Sequence, residues 1–115
     1  MGFNSNGLNA AVNAIAVAAT YVSAHTGDPG STGTTEVAGG AYARQQTTWA
    51  AAVGGQRDGS QVAVPIPAGT SVTHWGLWSA VSGGTFYGGF ALAAAEVFTL
   101  AGTLDHTPTL DVNAG

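Results

Sequence analysis

Residues 61–81 read QVAVPIPAGTSVTHWGLWSAV. Val62, Val64 and Ile66 alternate with Ala63, Pro65 and Pro67, the period of two that turns one face of a strand toward a core and the other away from it. Proline has no N–H to give to a ladder, so two prolines on one face place this strand at a sheet edge. The segment after it is bulky on both sides, with Trp75 and Leu77 on one face and Val72, His74 and Trp78 on the other. That is the pattern of a central or interface strand. Ser82-Gly83-Gly84 then makes a hairpin turn, and Thr85 to Leu92 returns with Phe86, Phe90 and Leu92 on one face and Tyr87 on the other.

Moving outward from this hairpin, residues 42–52 are strand-like, GGQRDGS at 54–60 reads as a turn, and a last strand runs from about Thr103 to Val112 with a break at Pro108. Upstream, Leu8, Val12, Ile15, Ala19 and Val22 fall at steps of three and four, which predicts a helix over about 6–18. The β-branched and aromatic run Thr20-Tyr21-Val22 is already turning toward strand. Residues 26–40 hold five Gly, four Thr and one Pro, a loop longer than the usual connection and therefore either functional or pinned by contacts. The expected fold is mainly β: a small antiparallel β-sandwich or barrel with one N-terminal helix. It forms a single domain over 1–115 with its β-rich body at about 42–112.

A chain of 115 residues withdraws roughly 65% of its unfolded surface from water, enough for a core without staples. Cysteine is absent, which excludes disulfides, thiolate catalysis and Cys-based zinc sites. Two Arg, no Lys and six acids give a net charge of −4, and charged residues make up 7% of the chain against about 25% in ordinary soluble domains. So few cations exclude a phosphate-tracking nucleic-acid surface and a polybasic membrane patch. A largely neutral surface suits a protein covered by copies of itself or by a larger assembly. The apolar run Leu8 to Thr20 has no basic region before it and is interrupted by Asn9 and Asn13. It reads neither as a signal peptide nor as a membrane span, so synthesis in the cytoplasm is expected.

The residues that bear chemistry are sparse. No serine sits in a Gly-x-Ser-x-Gly elbow. His25, His74 and His106 show no metal-ligand spacing. GGAYAR lacks the lysine of a phosphate loop. Asp28 and Glu36 could serve as paired carboxylates, but a flexible composition separates them and such acids more often make turns. Trp75, Trp78, Tyr87 and Phe90 could stack on a sugar; together with Leu77 and Phe86 they read better as packing or assembly residues. No catalytic, cofactor or metal site is expected. Asp28, Glu36 and Arg44 remain, three of eight charges gathered in one neutral loop region. The expectation is an internal clamp, with Arg44 reaching back to Asp28 or Glu36.

One series of residues carries a resemblance: His25-Thr26, Asp28-Pro29-Gly30, Gly33, Glu36-Val37, Gly39-Gly40, Tyr42-Ala43-Arg44-Gln45, then Val72-Thr73-His74-Trp75-Gly76-Leu77-Trp78 and Gly83-Gly84-Thr85-Phe86. It resembles a family of small virion structural proteins of tailed bacteriophages, particularly those of actinobacterial hosts. The resemblance runs from the helix to about Leu92. It implies a non-enzymatic virion component, foremost a capsid decoration or minor capsid protein, with self-association as a homotrimer or larger ring and contact with a major capsid or tail protein. The alternative it implies is a tail or fibre subunit that binds a host-surface glycan.

Overall fold

The computed structural model describes residues 5–111. The helix α1 (Ser5–Ala18) is followed by eight strands: β1 (Tyr21–His25), β2 (Gln45–Gln46), β3 (Gln56–Asp58), β4 (Val62–Ile66), β5 (Thr70–Trp78), β6 (Phe86–Phe98), β7 (Gly102–His106) and β8 (Thr109–Asp111). The fold is mainly β, with the one helix near the N-terminus, and the strand pairs are antiparallel. The order β2-β1-β5-β6 makes a four-stranded sheet, and β3-β8 and β4-β7 make two-stranded ones. The particle is elongated, 45 × 24 × 24 Å.

The two faces of the four-stranded sheet have different work. Val22, Ala24, Trp75 and Leu77 join Val62, Val64, Ile66 and Leu104 of the β4–β7 pair in one apolar cluster, which Val12, Ala16 and Ala19 close from the helix end. Register puts Val22 opposite Leu77 and Ala24 opposite Trp75, so these side chains share a face, as period two requires. On the other face stand Ser23, Gly76 and Trp78, and the loop at 26–40 packs over them. Gly33 lies so close to Trp78 that an added Cβ would sit 2.5 Å from the ring, and one at Gly89 would sit 2.0 Å from Pro29.

Helix α1 is tied down by the polar residues that interrupt its apolar run. Asn9 Oδ1 accepts from the Gly55 N–H at 2.7 Å, and Asn13 Oδ1 accepts from Arg57 at 3.1 Å. Arg57 also donates to the carbonyls of Ala50 and Trp49. It thereby fastens β3 to the helix and to the preceding segment.

Four expectations need correction. Residues 42–52 do not form a strand beyond Gln45–Gln46, which pairs with β1; the backbone beyond it makes scattered bonds, Thr47 N–H to Thr20 and Ala50 N–H to Asp58. The aromatic and β-branched residues there reflect burial, which β-propensity largely measures. The supposed turn at 54–60 turns only at Gly54-Gly55, with φ of 60° and 83°, and Gln56–Asp58 pairs with β8. Strand β6 runs on past Leu92 to Phe98, because Glu96, Val97 and Phe98 pair with Val72, Ser71 and Thr70. Finally, register shifts between Leu77 and Trp78 and between Val72 and His74 change the faces. Phe86 goes with Trp78 under the loop while Phe90 stacks on Trp75, and Val72 joins the core cluster. Pro108 is buried and separates β7 from β8, as a residue without an N–H should. Val112, the expected end of the last strand, lies outside the described residues.

Candidate functional site

Two polar clusters hold the loop at 26–40. In the first, Arg44 is buried with its guanidinium 3.7 Å from the centre of the Trp78 ring. Its Nε and Nη2 donate to the two oxygens of Glu36 at 2.8 and 2.9 Å, and Nη1 donates to the carbonyls of Ala80 and Gly83 at 3.0 and 2.8 Å. The Tyr42 hydroxyl donates to Glu36 at 2.6 Å and accepts from the Ala24 N–H at 3.2 Å. Burial alone would raise the Glu36 pKa, but the bonds from Arg44 and Tyr42 outweigh it and hold the carboxyl below its usual range. Burial, then the neighbouring carboxylate, pushes the Tyr42 phenol well above its usual value.

The structure therefore brings Glu36 and Arg44 together and leaves Asp28 outside. Asp28 is exposed, and its carboxylate accepts from the Gly30 N–H at 2.9 Å, closing a turn in which Gly30 has φ of 62°. A short side chain two residues before an N–H satisfies it locally, so the acid serves the turn and not the ion pair. Tyr42 takes the third place in the clamp.

The second cluster was missed by sequence reasoning. Ser23 and His25 are both fully buried, with Ser23 Oγ 2.7 Å from His25 Nε2 and His25 Nδ1 2.8 Å from the Thr34 carbonyl. Trp78 Nε1 donates to Ser23 Oγ at 3.0 Å. Because a carbonyl can only accept, Nδ1 carries the proton and Nε2 accepts from Ser23. Burial lowers the His25 pKa, partly opposed by the Thr34 carbonyl and the Glu36 charge, which keeps the ring neutral. A signal was present: Ser-x-His on a strand places both side chains on one face. The pair has a nucleophile–base distance but no access for a substrate, so it serves as a buried hydrogen-bonded chain and not as a reaction centre.

The aromatic residues do not form one shelf. Trp75 and Trp78 are buried on opposite faces of β5, Leu77 is buried beside them, and Phe86 is half-buried against Trp78 at a ring distance of 5.0 Å. Phe90 stacks on Trp75 at 4.6 Å and is 39% exposed, and Tyr87 is 47% exposed. His106 packs on Trp75 with Nε2 buried and without a hydrogen-bond partner, and burial lowers its pKa. His74 Nδ1 lies 2.8 Å from Thr73 Oγ1. Among the described residues, no three His, Asp or Glu side chains gather to hold a metal ion. An open cleft of about 440 Å³ adjoins the clamp, bounded by Glu36, Tyr42, Arg44, Val81 and Ser82. Its charged groups are already engaged with each other. Both cations of the chain, Arg44 and Arg57, are spent on internal contacts.

Comparison with known families supplies what the geometry leaves open. Residues 5–109 match the model of the Podophage GP4 fiber I protein gp80 family. The chain belongs to this family. A search of curated proteins returned no match. Membership of a phage fibre family makes the chain a structural component of a virion and favours the fibre reading over capsid decoration. The sealed clusters have a plain meaning in a fibre-family protein: the 26–40 region is fastened, with Glu36 held by Arg44 and Tyr42 and the Thr34 carbonyl by His25.

Proposed function

We propose that the chain is a non-enzymatic fibre subunit that works by self-association, as a trimer or larger ring, and by contact with a neighbouring tail protein of the particle. The observation that carries this is the closure of the polar groups. Ser23, His25, Glu36, Tyr42 and Arg44 are all satisfied by one another or by backbone, while the outer surface keeps Tyr87, Phe90, Val97 and Leu100 exposed. A surface this poor in charge and this rich in uncovered apolar side chains suits contacts with other copies. Synthesis in the host cytoplasm and incorporation into the virion go with this reading.

Host-glycan recognition has less support, because the two tryptophans best suited to sugar stacking are buried on opposite faces. Capsid decoration differs from the fibre role in stoichiometry. Quantitative mass spectrometry of purified particles should find a few tens of copies at most per virion. Hundreds of copies would favour a capsid lattice and overturn the fibre assignment.

A further inference from the structure

We propose that His25 is a proton-sensitive latch for the segment at 26–35, which acid releases from the outer face of the four-stranded sheet. The segment is a lid. Its ends are joined by the Thr26 N–H donating to Thr35 at 2.9 Å, and its turn is closed by the Gly33 and Thr34 N–H groups donating to the Pro29 carbonyl at 3.0 Å. Pro29 is seated on Gly89, and Gly33 on Trp78 and Phe86. Thr35 is held at φ of 64°, a left-handed conformation that a β-branched residue adopts only under constraint. The constraint is its hydroxyl, whose single hydrogen is shared between the carbonyls of Gly27 and Thr34. A strained turn over an apolar seat opens once its inner anchor fails.

That anchor is His25. The hydrogen-bonded chain runs from Trp78 Nε1–H to Ser23 Oγ, from Ser23 O–H to His25 Nε2, and from His25 Nδ1–H to the Thr34 carbonyl. Every link has one direction. A proton added at Nε2 makes this atom a donor facing the Ser23 hydroxyl hydrogen, and Ser23 must reverse, accepting from both His25 and Trp78 and losing the acceptor for its own hydrogen. Ser23 and His25 are both fully buried, and Gly76 backs them so closely that a Cβ there would sit 2.7 Å from Ser23 Oγ and 2.9 Å from His25 Nε2. The charged groups around the ring are Glu36, which favours the imidazolium, and Arg44 and His74, which oppose it. Glu36 is already committed to Arg44 and Tyr42, so its charge is partly neutralised at the ring. A sealed imidazolium is relieved by lifting the lid that seals it, which also uncovers Trp78 and Phe86.

The test is amide hydrogen exchange on the full chain from pH 8 to pH 4, corrected for intrinsic exchange rates. Between the open-state value for histidine, about 6.5, and the lower closed-state value, protection at Thr26, Gly33 and Thr34 should fall by up to about tenfold per pH unit. Amides of the β3–β8 ladder, which holds no histidine, should not follow. His25→Asn retains a side-chain donor for Thr34 and cannot take up the proton, so its lid protection should not vary with pH in this range. In the parent protein, ring titration followed by NMR should have the same midpoint as lid opening, a comparison that needs no variant to fold. Opening that tracks a carboxylate or His74, or a His25 that protonates while the lid stays protected, would overturn the proposal.

Discussion

Replacing Arg44 by alanine removes two bonds to Glu36, two to the Ala80 and Gly83 carbonyls, and the guanidinium lying 3.7 Å from the Trp78 ring centre. The Glu36 carboxylate is then left with Tyr42 as its remaining donor, in a site where its side chain is 22% exposed. Breaking one partner out of a sheltered pair costs about 3–5 kcal/mol because the other charge is stranded. Partial exposure lets water reach Glu36, so the lower end, about 3 kcal/mol, is expected for the pair. For a chain of this size that lowers the thermal midpoint by roughly 10–15 °C. Glu36→Gln alone and the double variant complete a cycle, in which the two changes together should cost less than their sum by about 1–3 kcal/mol. Urea unfolding followed by tryptophan fluorescence provides the values. An Arg44→Ala protein that unfolds within about 0.5 kcal/mol of the parent would show that the clamp does not hold the loop.

Packing of the loop on the sheet predicts that Gly89→Ala and Gly76→Ala each destabilise by about 1–3 kcal/mol, since an added Cβ would meet Pro29 at 2.0 Å and Ser23 Oγ at 2.7 Å; calorimetry showing parental midpoints would contradict the close approach. Trp75→Ala should cost about 3–5 kcal/mol, whereas Tyr87→Ser, at a half-exposed ring, should stay within about 0.5 kcal/mol; equal losses would mean that the assigned faces of the hairpin are wrong. Acid should destabilise in two stages. His25 and His106 have lowered pKa values in the fold, so the unfolded chain binds protons first and stability falls as pH drops below about 6.5. Glu36, also lowered, adds a loss as pH falls from the ordinary carboxylate range through its own folded value. The raised Tyr42 adds a loss on the alkaline side as pH rises past about 10. A pH-independent unfolding midpoint between pH 4 and 7 would contradict these assignments.

What the sequence made legible was what local periodicity encodes. Val62, Val64 and Ile66 announced β4, and Val12, Ile15 and Ala19 announced the helix, because period and burial coincide there. The concentration of Asp28, Glu36 and Arg44 directed attention to the right loop, but composition could not distinguish the acid that pairs from the acid that turns the chain. That choice is made by geometry: Asp28 is within reach of the Gly30 N–H, and Glu36, bridged to His25 in an antiparallel contact, is presented to Arg44. Strand β3 was illegible because Gln56, Arg57 and Asp58 have no apolar alternation, and its pairing with β8 is set by tertiary contact. The faces of Phe86 and Phe90 were misread for a different reason. A bulge at Tyr87 inserts one residue opposite the Leu77–Trp78 step, and a single insertion reverses the alternation that the reading depended on.

The most direct test of the fibre role is location on the particle. Gold-labelled antibodies raised against this chain, applied to purified virions and viewed by electron microscopy, should mark the fibres and leave the capsid shell bare. Gold distributed evenly over the capsid would contradict the assignment.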